Sequence, residues 1–368
     1  MHLKSILTSG FYSKALIFVA VISMGFVSCR KKTEHVLGTS TYIEGEEPVG
    51  GTAGTSWTQI SSSEITDIYA LEEFNGQLYV GGLFDNTANT IHDFAKLDAS
   101  DNLIDPGISG FFGGYGIYDL HISNSDLILG GNYTYYTTGT DPEDLTRMNT
   151  SAVITDIPFS NSLGSSARNI MDYSSDLLIT GAFSPSASNW VVTDNVDLIS
   201  GNTAVGMANL TGTVYGSAMH NGSLFVCGPD DNLKSWSGSA WVDEIYNGLH
   251  WQDAVWDVIS YNSELYIMGK FNNGVVIKRK SATGTWTDIA EIGQIGGMSF
   301  YGGMKVVDNE LYVFDGNLTI NGASLLGLVK YNGTSWSSVG NFTYEVHDIV
   351  KFNGYLYLAS DYGIFKYD

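Results

Sequence analysis

Two adjacent positions gather the side chains of this protein best suited to chemistry. Counted back from a leucine that recurs along the sequence, the ninth residue is Tyr69, Tyr118, Arg168, Tyr215, Trp256, Gly302 and His347 in successive repeats. The eighth is Ala70, Asp119, Asn169, Gly216, Asp257, Gly303 and Asp348. Aromatic rings stack on apolar faces, and interspersed carboxylates accept hydrogen bonds from hydroxyls and amines. If repetition gathers these pairs round one axis, they make a funnel suited to a sugar or a peptide, with Tyr118, Tyr215 and Trp256 as anchors and the aspartates as polar contacts. The same residues admit a structural role. Aspartates at a repeated position can hold backbone N–H groups of the next repeat, and aromatics can fill the space between repeats. The variety at the ninth position, from Tyr to Arg, Trp, Gly and His, leans toward a ligand. A third reading uses Asp119, Asp257 and Asp348 as acid and base, with His347 as general base, to cleave polysaccharide.

The elements that must position these residues follow from the repeat itself. Its copies read LYVGGLF from Leu78, LILGGNY from Leu127, LLITGAF from Leu177, LFVCGPD from Leu224, LYIMGKF from Leu265, LYVFDGN from Leu311 and LYLASDY from Leu356. Spacings of 41 to 50 residues suit a four-stranded propeller blade. In the first copy Leu78, Val80 and Phe84 point one way and Tyr79 and Leu83 the other, so the strand is apolar on both faces, as burial between two blades requires. Gly81-Gly82 and Gly130-Gly131 would allow close approach between blades. Asn75-Gly76, Asn124-Ser125, Asn221-Gly222, Asn262-Ser263 and Asn353-Gly354 read as tight hairpin turns joining first and second strands. Third strands are expected at Phe94–Asp98, Leu233–Trp236, Leu328–Tyr331 and Ile364–Tyr367, and fourth strands carry Trp241, Trp286 and Trp336 after a glycine turn. The outer strands of the second and third repeats have no clear signature. The last repeat stops at Tyr367-Asp368, before its fourth strand, and the missing piece, Gly54-Thr-Ser-Trp57, stands at the front of the domain. The expected fold is therefore all-β: a seven-bladed propeller of four-stranded blades over residues 54–368, its last blade closed by the N-terminal strand.

Ahead of the domain, Lys4 and Lys14 give a basic start before an apolar run that is too short for a membrane span and fits a secretory signal over residues 1–28. Phe26-Val27-Ser28-Cys29 resembles the lipobox of bacterial lipoproteins, which implies lipidation of Cys29. Residues 29–53 are polar and glycine-containing, a flexible tether. No aspartate follows Cys29, so the resemblance implies a lipid anchor in the outer membrane, on either its periplasmic or its cell-surface face.

The formal charge of −22 becomes about −24 without the signal and excludes nucleic acid and polyanions as partners by long-range repulsion. With Cys29 lipidated, Cys227 is alone and reads as a small buried apolar residue. His92, His121, His220, His250 and His347 show no metal-binding spacing, and no Gly-x-Ser-x-Gly elbow occurs. No metal or cofactor is expected. Asp230-Asp231 and Asp141–Asp144 read as solvated loops. The chain is expected to be monomeric.

The LYVGG-x-F copies, the Ala-Lys-Leu type of third strand and the Gly-x-x-Trp fourth strand resemble the repeats of kelch-like propellers, closest to the arrays of bacterial (Bacteroidota-like) surface lipoproteins and fungal cell-polarity markers. The resemblance covers residues 54–368. It implies a propeller and is weak for function, because propellers host many. Three expectations follow: an outer-membrane lipoprotein that binds a glycan or an envelope protein without catalysis, a polysaccharide hydrolase or lyase built on axial carboxylates, or a structural envelope protein with no small ligand.

Overall fold

The structure is a computed structural model that describes residues 56–368, except 62–64, 87–89, 138–142, 158–165, 183–194, 202, 208–209, 211, 229–231, 245–253, 272–273, 295–302, 315–317, 321–322 and 325–326. The expectations for the signal, Cys29 and the tether, and for Gly302 and Asp230-Asp231, lie outside the described residues.

Seven antiparallel sheets follow one another along the chain. The first blade runs Ile68–Phe74, Gln77–Asp85, His92–Leu97 and Leu103–Ile104, and the next five begin at Phe111, Ser166, Gly216, Ala254 and Gly303. The seventh contains Val346–Phe352, Tyr355–Ser360 and Gly363–Tyr367, and its outer strand is Trp57–Gln59. Trp57 pairs with Tyr367 and Gln59 with Phe365, so the N-terminal strand closes the last blade as the sequence predicts. The Trp57 indole donates to Val339 O at 2.9 Å, in the sixth blade's exit, and the equivalent Trp241 donates to Met207 O at 3.0 Å. These two fourth-strand tryptophans each latch a blade to the one before it.

The hairpin turns have the backbone their residues favour. Both central residues have positive φ at Asn75-Gly76, Asn124-Ser125, Asn221-Gly222, Asn262-Ser263 and Asn353-Gly354, and also at Asp308-Asn309, which the sequence pattern did not pick out. The outer strands of the second and third blades are Glu143–Met148 with Ile154–Asp156, and Val196–Ser200 with Thr203–Gly206. Asp144, expected in a solvated loop, is buried in a strand and accepts the Tyr133 N–H at 3.2 Å. Asp93 does the same for Phe84 at 3.0 Å, in the corresponding place one blade earlier.

The hydrophobic residues divide into seven clusters, each shared by adjacent blades. One joins Ile68, Leu78 and Val80 of the first blade to Tyr357 and Ile364 of the seventh, so the ring is closed by packing as well as by strand pairing. Cys227 is buried in the cluster between the fourth and fifth blades, where burial pushes its thiol pKa up. The fifth sheet also gains Leu318–Ile320 and Ala323–Ser324, a hairpin sent across from the sixth blade.

Removing Ser56–Ile60 opens this ring and exposes the edge of Gly363–Tyr367. A chain beginning at Ile65 is expected to lose the cooperative thermal transition of residues 53–368 when both are melted by circular dichroism. Equal melting temperatures would contradict the closure.

Candidate functional site

The residue four after the anchor leucine controls the mouth of the central channel. It is Gly82, Gly131, Gly181, Gly228 and Gly269 in the first five blades. A Cβ on Gly82, Gly131, Gly228 or Gly269 would overlap the carbonyl oxygen of the residue eleven before the anchor: Asp67, Gly116, Thr213 or Ala254. That carbonyl is pressed inward because the inner strand bulges just beyond it. Ile68 pairs with Gly82 and Ala70 with Gly81, leaving Tyr69 without a cross-strand partner. The same skip leaves out Tyr118, Arg168, Trp256 and His347. Tyr215 sits just ahead of its strand and donates its N–H to Cys227 O at 2.8 Å. A bulge adds one residue and re-aims its side chain. The ninth-back position is thus a β-bulge, and the repeat's glycine makes room for it. The preceding glycines, Gly81 and Gly130, face the next blade, where an added Cβ would lie 2.7 Å from Ile117 and from Ile170.

The bulged side chains meet one another. His347 and Tyr69 are 5.7 Å apart between ring centroids, and Tyr69 and Tyr118 are 5.8 Å apart. The Arg168 guanidinium lies 5.7 Å from the Tyr118 centroid and 5.7 Å from that of Tyr215. This contact chain passes through blades seven, one, two, three and four. Its members differ in access. Tyr69 is buried, as is Trp256 outside the chain in the fifth blade, and the His347 ring is tucked away with Nε2 at 2.5 Å from the Asp361 carboxylate. Tyr118, Arg168 and Tyr215 are only half-buried, and they form an arc that solvent reaches.

The same face carries more tyrosine. The beginning of each inner strand and the end of each second strand lie at this end of the blade. Tyr344 precedes the inner strand of the seventh blade and Tyr362 follows its second strand; both are exposed, with rings 4.3 Å apart. In the second blade the hairpin Phe111–Ser123 with Asp126–Tyr136 runs past the bulge and bears the exposed Tyr115 and Tyr136.

Beneath the arc, the eighth-back carboxylates bind the ring together. Asp348 accepts Leu71 N at 2.9 Å from the first blade, its neighbour's Ile349 N at 2.8 Å, and Lys305 Nζ at 2.7 Å from the sixth. Asp257 accepts Met304 N at 2.6 Å and Val258 N at 2.8 Å. Asp119 accepts Ile170 N at 2.6 Å. Asn169 accepts the hydroxyl of Ser217. The bonds to Leu71, Met304, Ile170 and Ser217 all reach the seventh-back position of the next blade, so of the two roles read from the sequence the aspartates show the interblade one. Ala70, Gly216 and Gly303 place no polar group at this level.

Two channel residues escaped the sequence reading: Glu72 and Lys305, both six before the anchor leucine. An alignment at that position reads Glu72, His121, Met171, Ala218, Ile259, Lys305 and Val350, so a charged pair was visible there. Burial pushes the Glu72 carboxyl up to about 7, with Lys305 opposing and Asp348 adding to the shift. Burial likewise pushes Asp119 up to about 8 and Asp257 to about 7, against the pull of their backbone N–H donors. Burial works against the Lys305 ammonium, yet Asp348, Glu72 and Asp119 together hold its pKa above the ordinary lysine value. Among the described residues no group of three or more His, Cys, Asp or Glu side chains is placed to hold a metal ion.

No family model matches the sequence, and no curated protein matches it. Solved structures do. The WD40 β-propeller domain of Doa1 aligns with a TM-score of 0.56 at 10% identity over 85% of this chain and 96% of its own. YCF48 bound to D1 peptide aligns at 0.55 and 10% over 87% and 98%. Virginiamycin B lyase from Staphylococcus aureus aligns at 0.52 and 10% over 85% and 97%. At such identity these likenesses show the fold, a β-propeller.

Asp119 offers a test of the channel chemistry. The folded chain keeps its proton up to about pH 8, whereas an unfolded aspartate loses it near 3.8. Between those values the folded state binds the extra proton, so this group's contribution to stability falls as pH rises. In urea titrations at pH 5, 6 and 7, Asp119→Asn is expected to gain on the parent by up to about 1 kcal/mol per pH unit. Parallel curves would show that the carboxyl is ionised in the folded chain.

Proposed function

We propose that this chain is a non-catalytic binding propeller that takes a glycan or protein ligand at the channel mouth, held at the outer membrane by a lipid on Cys29. The observation that carries the binding reading is the arc Tyr118–Arg168–Tyr215, aimed by bulges into one contact chain and flanked on the same face by exposed tyrosines. A structural ring needs the interblade carboxylate bonds but not a solvent-reaching arc of this kind. The cleavage reading finds less support, because the oxygens it would use already hold backbone N–H groups and Lys305. Two of the similar folds are a WD40 domain and a propeller bound to a peptide, which is in keeping with binding as a use of this architecture.

The full-length chain carrying Cys29→Ser would be offered to arrayed bacterial surface glycans and to envelope proteins, beside a Tyr118→Ala/Tyr215→Ala double variant. Two half-buried aromatic anchors lost together should weaken binding at least about tenfold. Binding unchanged in a folded double variant would remove the mouth as the site. The anchor is tested separately. In a bacterial host fed a lipid probe, the parent is expected to take label into the membrane fraction and Cys29→Ser to take none; equal labelling would sink the lipoprotein reading.

A further inference from the structure

Arg168 is the odd member of the mouth. It is a half-buried cation in a chain with 39 acidic and 17 basic residues, yet among the described residues no carboxylate pairs with it. Eight other lysines and arginines hold a carboxylate at 3.4 Å or less. Its Nε is buried and meets no hydrogen-bond acceptor. What Arg168 does meet is tyrosine, with Tyr118 and Tyr215 each 5.7 Å from its guanidinium carbon. Such contacts engage the charge through the rings and leave the in-plane N–H donors unengaged. A guanidinium presents those donors as a fork that matches the two oxygens of a carboxylate.

We propose that Arg168 is a carboxylate-recognition residue at the channel mouth, and that the ligand is a polypeptide segment presenting one carboxylate there, as an acidic side chain or a chain terminus. The inference rests on the mouth being the binding site. Two observations favour polypeptide over acidic polysaccharide. The surrounding face carries four exposed tyrosines from two separate blades, Tyr115 and Tyr136 from the second and Tyr344 and Tyr362 from the seventh, and tyrosine and arginine are among the side chains enriched at the centres of protein interfaces. The charge of −22 repels a chain of uronates at long range, whereas one carboxylate on a neutral or basic partner meets that field only locally.

The chain has four arginines, Arg30, Arg147, Arg168 and Arg279, so their side-chain Nε–H signals can be resolved in the full-length Cys29→Ser chain labelled with 15N-arginine. The signal absent from Arg168→Ala is expected to shift when N-acetylglycine is added and to stay in place with N-acetylglycinamide. Peptides arrayed with free carboxylates should bind at least about tenfold more tightly than the same peptides as amides, a gap that Arg168→Gln closes while Arg168→Lys retains part of it. If Arg168→Ala does not fold, Arg168→Lys supplies the assignment. An Arg168 signal indifferent to the acid, or equal binding of acids and amides, overturns the proposal. Glycan binding that is lost in Tyr118→Ala/Tyr215→Ala but indifferent to Arg168→Gln would leave the mouth as the binding site and overturn the carboxylate. Binding unaffected by any of these variants removes both.

Discussion

A glycine hydrogen, where any other residue would put a carbon, sets the geometry of the channel mouth. At Gly82, Gly131, Gly228 and Gly269 the absent Cβ is the space into which an inner-strand carbonyl folds, and that carbonyl can sit there only because the next stretch of strand carries one residue too many. The surplus residue is Tyr69, Tyr118, Trp256 or the corresponding Tyr215. A motif read in sequence as a buried strand is therefore also the recipe for the lining of the mouth. The seventh blade keeps its bulge with Ser360 in the glycine's place, fully buried, so the rule tolerates a small side chain there.

Neighbouring residues on the inner strand divide two tasks. The bulged residue faces the mouth and varies in type, while the residue after it reaches sideways to the next blade's backbone and is polar wherever it bonds. The bulge is what permits this division, because the extra residue breaks the regular pleating that would send the two side chains to opposite faces. The arrangement also explains why carboxylates survive in a closed channel. A buried aspartate facing backbone N–H groups keeps hydrogen bonds in either protonation state, so its raised pKa does not leave it without partners.

Much of the architecture was legible because it rests on local chemistry. Asn-Gly pairs declare positive φ, a doubly apolar strand declares burial on both faces, and the displaced Gly-Thr-Ser-Trp57 segment declares the shared blade. The outer strands of the second and third blades were not legible, since strands such as Thr203–Gly206 carry no tryptophan or glycine turn to mark them. Asp144 was misplaced because an acidic stretch looks solvated until the burial of its neighbours is known. At the site, the alignment found Tyr118, Arg168 and Tyr215 but could not choose between two roles for Asp119, Asp257 and Asp348. That choice depends on where the next blade's N–H groups point, which is tertiary information. Glu72 and Lys305 were missed for a related reason: they sit in different blades and become a pair only round the axis.

The shared seventh blade has a kinetic consequence. Trp57 and Tyr367 are about 310 residues apart in sequence, and their strands pair only after everything between them has been made. Six blades can assemble from neighbours close in the chain, but the last joint is a loop closure of the longest kind, slow to find and late to form. Until then the nascent ring is an open arc with a bare sheet edge at Gly363–Tyr367 and an unpaired strand at Trp57–Gln59, vulnerable to pairing with another copy of itself. The final three-residue strand thus acts as a timer on assembly, and the interval before it docks is when this chain most needs dilution or a chaperone.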